Sequence, residues 1–230
     1  MAAKRSYADG CAAAHALDLI GDRWALLVVR ELLLGPKRFT DLRTGLPGAA
    51  PNVVAQRLRE LEAAGVVQRR TLPPPAASKV YELTDWGLEL ETVVRSLGKW
   101  GARSPRMQHD APLSVDSLAL ALRALFSPGR AGELAATVVL RLDGDEFRAR
   151  VEDGRFHLER GRLHEERGVV GTSADATITA DGNALNEIIW SGRDLDEAVR
   201  DGLVRIDGDT AVVRRFLDLF PLPEPAPVPS

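Results

Sequence analysis

The chain has one cysteine, Cys11, in 230 residues, and aromatic residues make up only 5% of it. A lone cysteine excludes an intramolecular disulfide and fits a reducing cytoplasm. Long apolar runs are missing as well. No window approaches the roughly 18 apolar residues of a membrane helix, so no membrane partner is expected. The start, MAAKRSYADG, has basic residues with no apolar stretch behind them, so no secretory leader is expected. The four histidines (His15, His109, His157, His164) lie far apart in the sequence without ligand spacing, so no metal is expected. There is no G-x-S-x-G, no phosphate loop and no dinucleotide fingerprint. Nothing pairs a nucleophile with a base, so neither an enzyme nor a cofactor is expected. The pair Glu165–Glu166 looks like a solvated loop. Arginine greatly outnumbers lysine and alanine is abundant, a bias that a GC-rich genome explains.

Charge is present but unevenly spread. Residues 1–106 carry 16 Lys+Arg against 11 Asp+Glu, whereas residues 107–230 carry 14 against 22. A basic half joined to an acidic half suggests that one part meets phosphate and the other does not.

The basic half follows a helical period. Residues 11–20 form a helix with Ala13, Leu17 and Ile20 on one face. Trp24 to Leu34 is apolar nearly all round, which predicts a central buried helix stopped by Gly35-Pro36. Thr40 can cap a short helix after Phe39, with Gly45 ending it. Pro51 suits a first helical turn. Val54, Leu58 and Leu61 then form the buried stripe of a helix over 51–64, and Gly65 supplies its C-cap. Val66–Arg70 and Lys79–Leu83 predict a hairpin with the stiff tip Pro73-Pro74-Pro75. Two short helices, a turn and a hairpin, in that order, make a winged helix-turn-helix, which lays one helix in the DNA major groove. Thr84 caps a further helix whose apolar stripe runs through Trp86, Leu90, Val93, Val94, Leu97 and Trp100. Such a stripe exceeds the needs of one small core and predicts a second subunit.

Periodicity lapses after 101, and the second half alternates. An amphipathic helix at 115–126 precedes strands at 134–142 and 146–151. Phe147, Ala149 and Val151 share one face of the second strand; Arg148 and Arg150 share the other. Phe156 and Leu158 continue the meander. Ala176, Ile178 and Ala180 alternate again. Helices at 183–190 and 194–200, a strand at 203–207, and a last helix capped by Asp209 follow, with Val212, Phe216 and Leu219 inward. The tail PLPEPAPVPS predicts a disordered end.

The segments ALDLIGDRWALLVVRELLLGPKRFTDL, PNVVAQRLRELEAAGVVQRR, PPP and YELTDWG resemble the HxlR family of winged-helix regulators. The resemblance implies a homodimer, built on the first and last helices of the domain, that binds a palindromic operator in double-stranded DNA. The segment ADATITADGNALNEIIWSGRDLDEAVRDGLVRIDGDTAVVRRFLDLF is similar to sterol-carrier-protein-type domains. That similarity implies a helix-covered sheet around an apolar cavity for lipophilic molecules. The expected fold class is therefore α+β: an N-terminal winged helix-turn-helix domain (1–106), a linker (107–114), a sterol-carrier-protein-like α/β sandwich with an apolar cavity (115–222), and a Pro-rich tail (223–230).

Candidate site residues follow. On the 51–64 helix, Arg57 suits a bidentate contact to guanine, Gln56 or Asn52 suits adenine, and Val53 suits a thymine methyl. Arg59, Arg38 and Arg43 suit phosphates, which set register without reading sequence. Thr40 opens the first helix of the motif. Lys79, with Arg69 and Arg70, can place the wing on the backbone or in the minor groove. Trp190, Phe147 and Phe156 are candidate walls for a lipophilic effector. Cys11, at the first turn of a helix, is a candidate thiol sensor. The expected function is a cytoplasmic, ligand-responsive transcription regulator. The alternatives are a redox or electrophile sensor acting through Cys11 and a regulator whose C-terminal domain is only structural.

Overall fold

The computed structural model describes residues 6–74, 77–109, 111–161 and 174–227. Pro75, His164 and the Glu165–Glu166 pair lie outside these residues. The chain divides into two compact units, Met1–Val94 and Arg95–Ser230.

In the first unit, α1 (Ala12–Ile20) and α2 (Ala25–Leu32) precede α3 (Phe39–Gly45) and α4 (Pro51–Ala63). Then come β1 (Val67–Thr71), β2 (Lys79–Leu83), α5 (Asp85–Leu88) and α6 (Leu90–Ala102), within which the division point falls. α2 is central, with Ala25, Val28, Val29 and Leu32 buried. It is not apolar all round: Leu27 is 37% exposed, and the charged Glu31 is fully buried. α4 buries Val54, Leu58 and Leu61 at i, i+4 and i+7, as their spacing predicts. It stops because Gly65 takes φ +74°, so that Val66 N–H reaches Leu61 O at 2.9 Å and Gly65 N–H reaches Glu62 O at 3.1 Å. The hairpin pairs Val67 with Leu83 through Thr71 with Lys79. Thr84 Oγ1 accepts from Gly87 N–H at 3.0 Å, which confirms its capping role. The helix it opens is short, and the long apolar stripe continues on α6.

The capping of α3 differs from expectation. The helix begins at Phe39, and the residue before it is Arg38, whose N–H is accepted by Asp41 Oδ2 at 3.1 Å. Asp41 reaching back three residues starts the helix earlier than Thr40 would. Thr40 is exposed and donates its hydroxyl to Asp41 Oδ1.

In the second unit, α7 (Val115–Leu125) and α8 (Pro128–Ala131) lead into β3 (Ala136–Leu142), β4 (Asp145–Glu152) and β5 (Arg155–Arg160). β6 (Ala176–Ala180), α9 (Gly182–Trp190), α10 (Leu195–Arg200), β7 (Val204–Gly208) and α11 (Thr210–Leu217) complete it. The sheet order is β5-β4-β3-β6-β7, with β3 and β6 parallel and the other pairs antiparallel. Val138, Leu140, Phe147, Ala149, Val151, Leu158, Ala176 and Ile178 fill one face and are buried. Arg141, Arg148, Arg150, His157, Glu159, Arg205 and Asp207 lie on the other face and are exposed. Period-2 alternation thus gives the sheet one apolar face, with the other polar at β4, β5 and β7, although Thr137 and Val139 of β3 are buried there too.

Two details correct the sequence reading. On α11 the fully buried residues are Val213 and Phe216, while Val212 is half-buried. Leu219 and Phe220 turn inward beyond the helix end. The tail is also held: Arg103 Nε donates to Glu224 O at 3.1 Å, and Ala226 N–H donates to Arg103 O at 2.7 Å. Prolines remove donors from the segment, but its carbonyls and Ala226 N–H still find partners. Among the described residues no helix is long and apolar enough to cross a membrane, and no group of three His, Cys, Asp or Glu could hold a metal ion.

Candidate nucleic-acid interface

α4 presents two opposed stripes. Val54, Leu58 and Leu61 point into the core, and Asn52, Gln56 and Arg59 are exposed. The two sets start two residues apart, roughly 200° around a helix at 3.6 residues per turn. The inner stripe therefore fixes the direction of the outer one. Val53 sits half-buried beside the outer stripe. Gln56 Nε2 donates to Glu60 Oε1 at 3.0 Å, which orients the amide along the helix. Arg38 and Arg43 are exposed on α3. On the wing, Lys79 is exposed, Arg70 pairs with Glu82 at 3.0 Å, and Arg69 pairs with Glu62 at 3.0 Å while lying over Tyr81.

Arg57 lies beside the outer stripe of α4, between two acids. Its side chain is 12% exposed, and Nη1 is held by Asp22 and, at 2.8 Å, by Glu60. One position along the helix from Gln56 is a rotation of about 100°. That places Arg57 on the flank facing the loop after α1. Both carboxylates lie against the same terminal nitrogen, Nη1.

Glu31 is a residue that the sequence reading missed. Its carboxylate is fully buried and accepts from Arg30 Nη2 at 2.9 Å and from Lys37 Nζ at 2.8 Å. Lys37 in turn exchanges backbone hydrogen bonds with Tyr81 of the wing, at 2.9 and 2.8 Å. Glu31 thus ties α2 to the wing by one side chain. Gly45 leaves room for it: a Cβ there would stand 2.1 Å from Glu31 Oε2. A charged residue inside an apolar helical run was the available signal, because burial of a charge requires partners.

In the second unit, the structure gathers Phe156 with Phe126, Phe216 and Phe220, at ring separations of 5.3, 6.3 and 5.2 Å. Trp190 joins this cluster through its Nε1–H, which Phe220 O accepts at 2.8 Å. Phe147 is set apart. It lies opposite Arg160 whereas Phe156 lies opposite Val151, four residues along β4, or about 13 Å at strand rise. Phe147 is fully buried beneath Arg160, which pairs with the buried Asp116 and with Asp145. Asn186 Nδ2 donates to His109 O at 2.9 Å, and Asn183 Oδ1 accepts from Leu113 N–H at 3.2 Å. These two asparagines therefore anchor the segment that enters the unit.

Cys11 is exposed and is the N-cap of α1. Backbone N–H groups of Ala14 and then Ala13 hold its thiol pKa below the ordinary cysteine value.

Two families match the chain: the HxlR-like helix-turn-helix over residues 19–109, and the alkyl sulfatase C-terminal domain over residues 108–226. The second is a different description from the sterol-carrier resemblance. The uncharacterized HTH-type transcriptional regulator YvaP of Bacillus subtilis (strain 168) is 38% identical over 85 residues, covering 37% of this chain and 79% of YvaP. The quinone-bound YodB from B. subtilis is 32% identical and covers 38% of this chain and 91% of its own, with a TM-score of 0.33. The inverting sec-alkylsulfatase Pisa1 from Pseudomonas sp. is 21% identical with a TM-score of 0.40, and the match covers 47% of this chain but only 16% of Pisa1.

Proposed function

We infer, from a chain that belongs to the HxlR-like helix-turn-helix family over residues 19–109 and to the alkyl sulfatase C-terminal family over residues 108–226, a transcription regulator in which a DNA-reading unit is joined to a sensor of lipophilic molecules. The observation that carries the DNA-reading half is the exposed stripe Asn52, Gln56, Arg59 on α4, set opposite its buried stripe. Asn52 and Gln56 read base edges in the major groove, with Val53 beside them. Arg59, Arg38 and Arg43 hold phosphates, and Lys79 with Arg70 seats the wing.

The reader works as a homodimer on a palindromic operator. In support, Leu17 of α1 is 50% exposed, and Leu97 and Trp100 of α6 are 46% and 77% exposed. Apolar side chains left in water on two helices are what a second copy would cover. Its recognition helices would then stand about one turn of DNA, roughly 34 Å, apart.

The effector is a molecule with a long alkyl chain, taken up in the second unit against Phe156 and Trp190. Support comes from the alkyl sulfatase family match and from the aromatic cluster of Phe156 with Phe126, Phe216 and Phe220, beside which Trp190 Nε1–H is held by Phe220 O. Ligand binding acts by preferring one arrangement of the dimer.

Selection from a random duplex pool, followed by gel shift, tests the first half. Arg59→Ala should lower the slope of log affinity against log salt by about one and leave the selected sequence unchanged. Dodecanol tests the second half: it should raise the melting temperature of the full chain and change duplex affinity. If it does neither, the sensor reading fails and the C-terminal unit is structural.

Cys11 favours a second reading, a thiol-based sensor. It is exposed, and its thiolate is stabilised by the helix N-terminus. With one cysteine per chain, the chemistry is alkylation by an electrophile or a Cys11–Cys11 bond between subunits. A Cys11→Ser protein that still releases DNA on treatment with a quinone would falsify it.

A further inference from the structure

We propose that Arg57 is a positioning residue, a latch that fastens the recognition helix to the end of the first helix, and that it does not read a base. The proposal rests on the DNA-binding reading and changes the role of one residue within it. Three observations support it. Arg57 is only 12% exposed, although it sits in a helix whose neighbouring position, Gln56, is fully exposed. Its Nη1 meets Asp22, two residues beyond the end of α1, and Glu60, one turn further along α4. Asp22 in turn is fixed from behind. Gly21 closes α1 by donating to Leu17 O at 2.8 Å, and Ala25 N–H donates to Asp22 O at 3.0 Å as α2 begins.

The geometry makes the latch specific. Both carboxylates approach the same terminal nitrogen, Nη1, one from the loop after α1 and one from α4 itself, so a single guanidinium is shared between the two segments. Withdrawing it to contact guanine would break both ion pairs and pull a side chain that is only 12% exposed out of its packing, which opposes the move. The link also runs between two parts with different tasks. α1 carries the exposed Leu17 and ends at Ile20, two residues before Asp22, while α4 carries Asn52, Gln56 and Arg59. A rotation of α1 therefore pulls on α4 through one ion pair, which is a defined two-ended element and more than mere proximity.

The two roles for Arg57 make opposite predictions for Asp22→Asn. If Arg57 is a base reader restrained by Asp22, releasing it should leave affinity unchanged or raise it, and Arg57→Ala should relax sequence preference at one base pair per half-site. If Arg57 is the latch, Asp22→Asn and Arg57→Ala should each weaken binding to the selected duplex about tenfold. The double variant should be no weaker than either single one, and the base preference should be unchanged at every position. Additive losses, no loss, or altered base preference would each overturn the proposal. Amide exchange in the DNA-free full chain supplies a second readout. The latch requires faster exchange at residues 21–25 and 54–58 in Asp22→Asn, with circular dichroism unchanged; unchanged exchange overturns it. Failure of the wild-type chain to select any duplex counts against DNA reading itself, and the exchange measurement still decides the latch.

Discussion

Single side chains carry this protein's clearest departures from pattern. Asn52 and Gln56 were legible as outward residues because helix spacing alone separates them from Val54, Leu58 and Leu61. Arg57 was not, because its direction depends on a carboxylate 35 positions away in sequence. Glu31 was hidden for the same reason. Its partners Arg30 and Lys37 are near in sequence, but its burial follows from the packing of α2, α3 and the wing. Gly45→Ala tests that packing. The added methyl meets the Glu31 carboxylate, which has two cations fixing it in place. Urea unfolding should show a loss of about 2 kcal/mol. Cys11 is testable by pH. Its pKa is lowered by N–H groups of Ala14 and Ala13, so more thiolate exists at any pH below the ordinary cysteine value. The rate of iodoacetamide alkylation should therefore rise at lower pH than for a cysteine in an unfolded peptide. Coincident profiles would remove the helix-terminus effect.

At the scale of elements, most boundaries follow from local chemistry. Pro51, Gly65, Thr84 and Asp209 begin or end their helices as capping rules require, and Asp209 Oδ1 accepts from Ala211 N–H at 2.7 Å. α3 escaped because Thr40 looks like a cap by composition, whereas Asp41 reaches back to Arg38 N–H and starts the helix at Phe39. The C-terminal segment escaped for another reason. Proline-rich composition signals a chain that cannot build its own ladder. It says nothing of a distant Arg103 that offers one donor and one acceptor. Arg103→Ala keeps the acceptor and removes the donor. Limited proteolysis should then cut within residues 221–227 several-fold faster than in the wild type, with the rest of the second unit resistant. Equal rates would show that Trp190, through Phe220 O, holds the segment without Arg103.

For the whole molecule, the question is what covers the apolar surface of α1 and α6. Val93, Leu97 and Trp100, at i, i+4 and i+7 on α6, are all exposed. A Leu97→Glu, Trp100→Glu chain should sediment as a monomer and lose gel-shift affinity by more than tenfold, because two half-site readers would no longer be linked. A variant that still sediments as a dimer would move the interface elsewhere. The charge division between basic and acidic halves parallels the two family matches, 19–109 and 108–226.

By itself the sequence determined the periodic parts: the buried stripe of α4, the wing, the alternating strands and the order of elements in both halves. These depend on residues within one turn or one strand of each other, where spacing dictates which face is apolar. Tertiary structure alone decided which polar side chains are spent on holding the fold. It paired Arg57 with Asp22 and Glu60, buried Glu31 between two cations, put Phe147 away from Phe156, and tied the tail to Arg103. The physical reason is common to all four. A buried or paired group must find a partner, and that partner is chosen by packing in space, which no local spacing records.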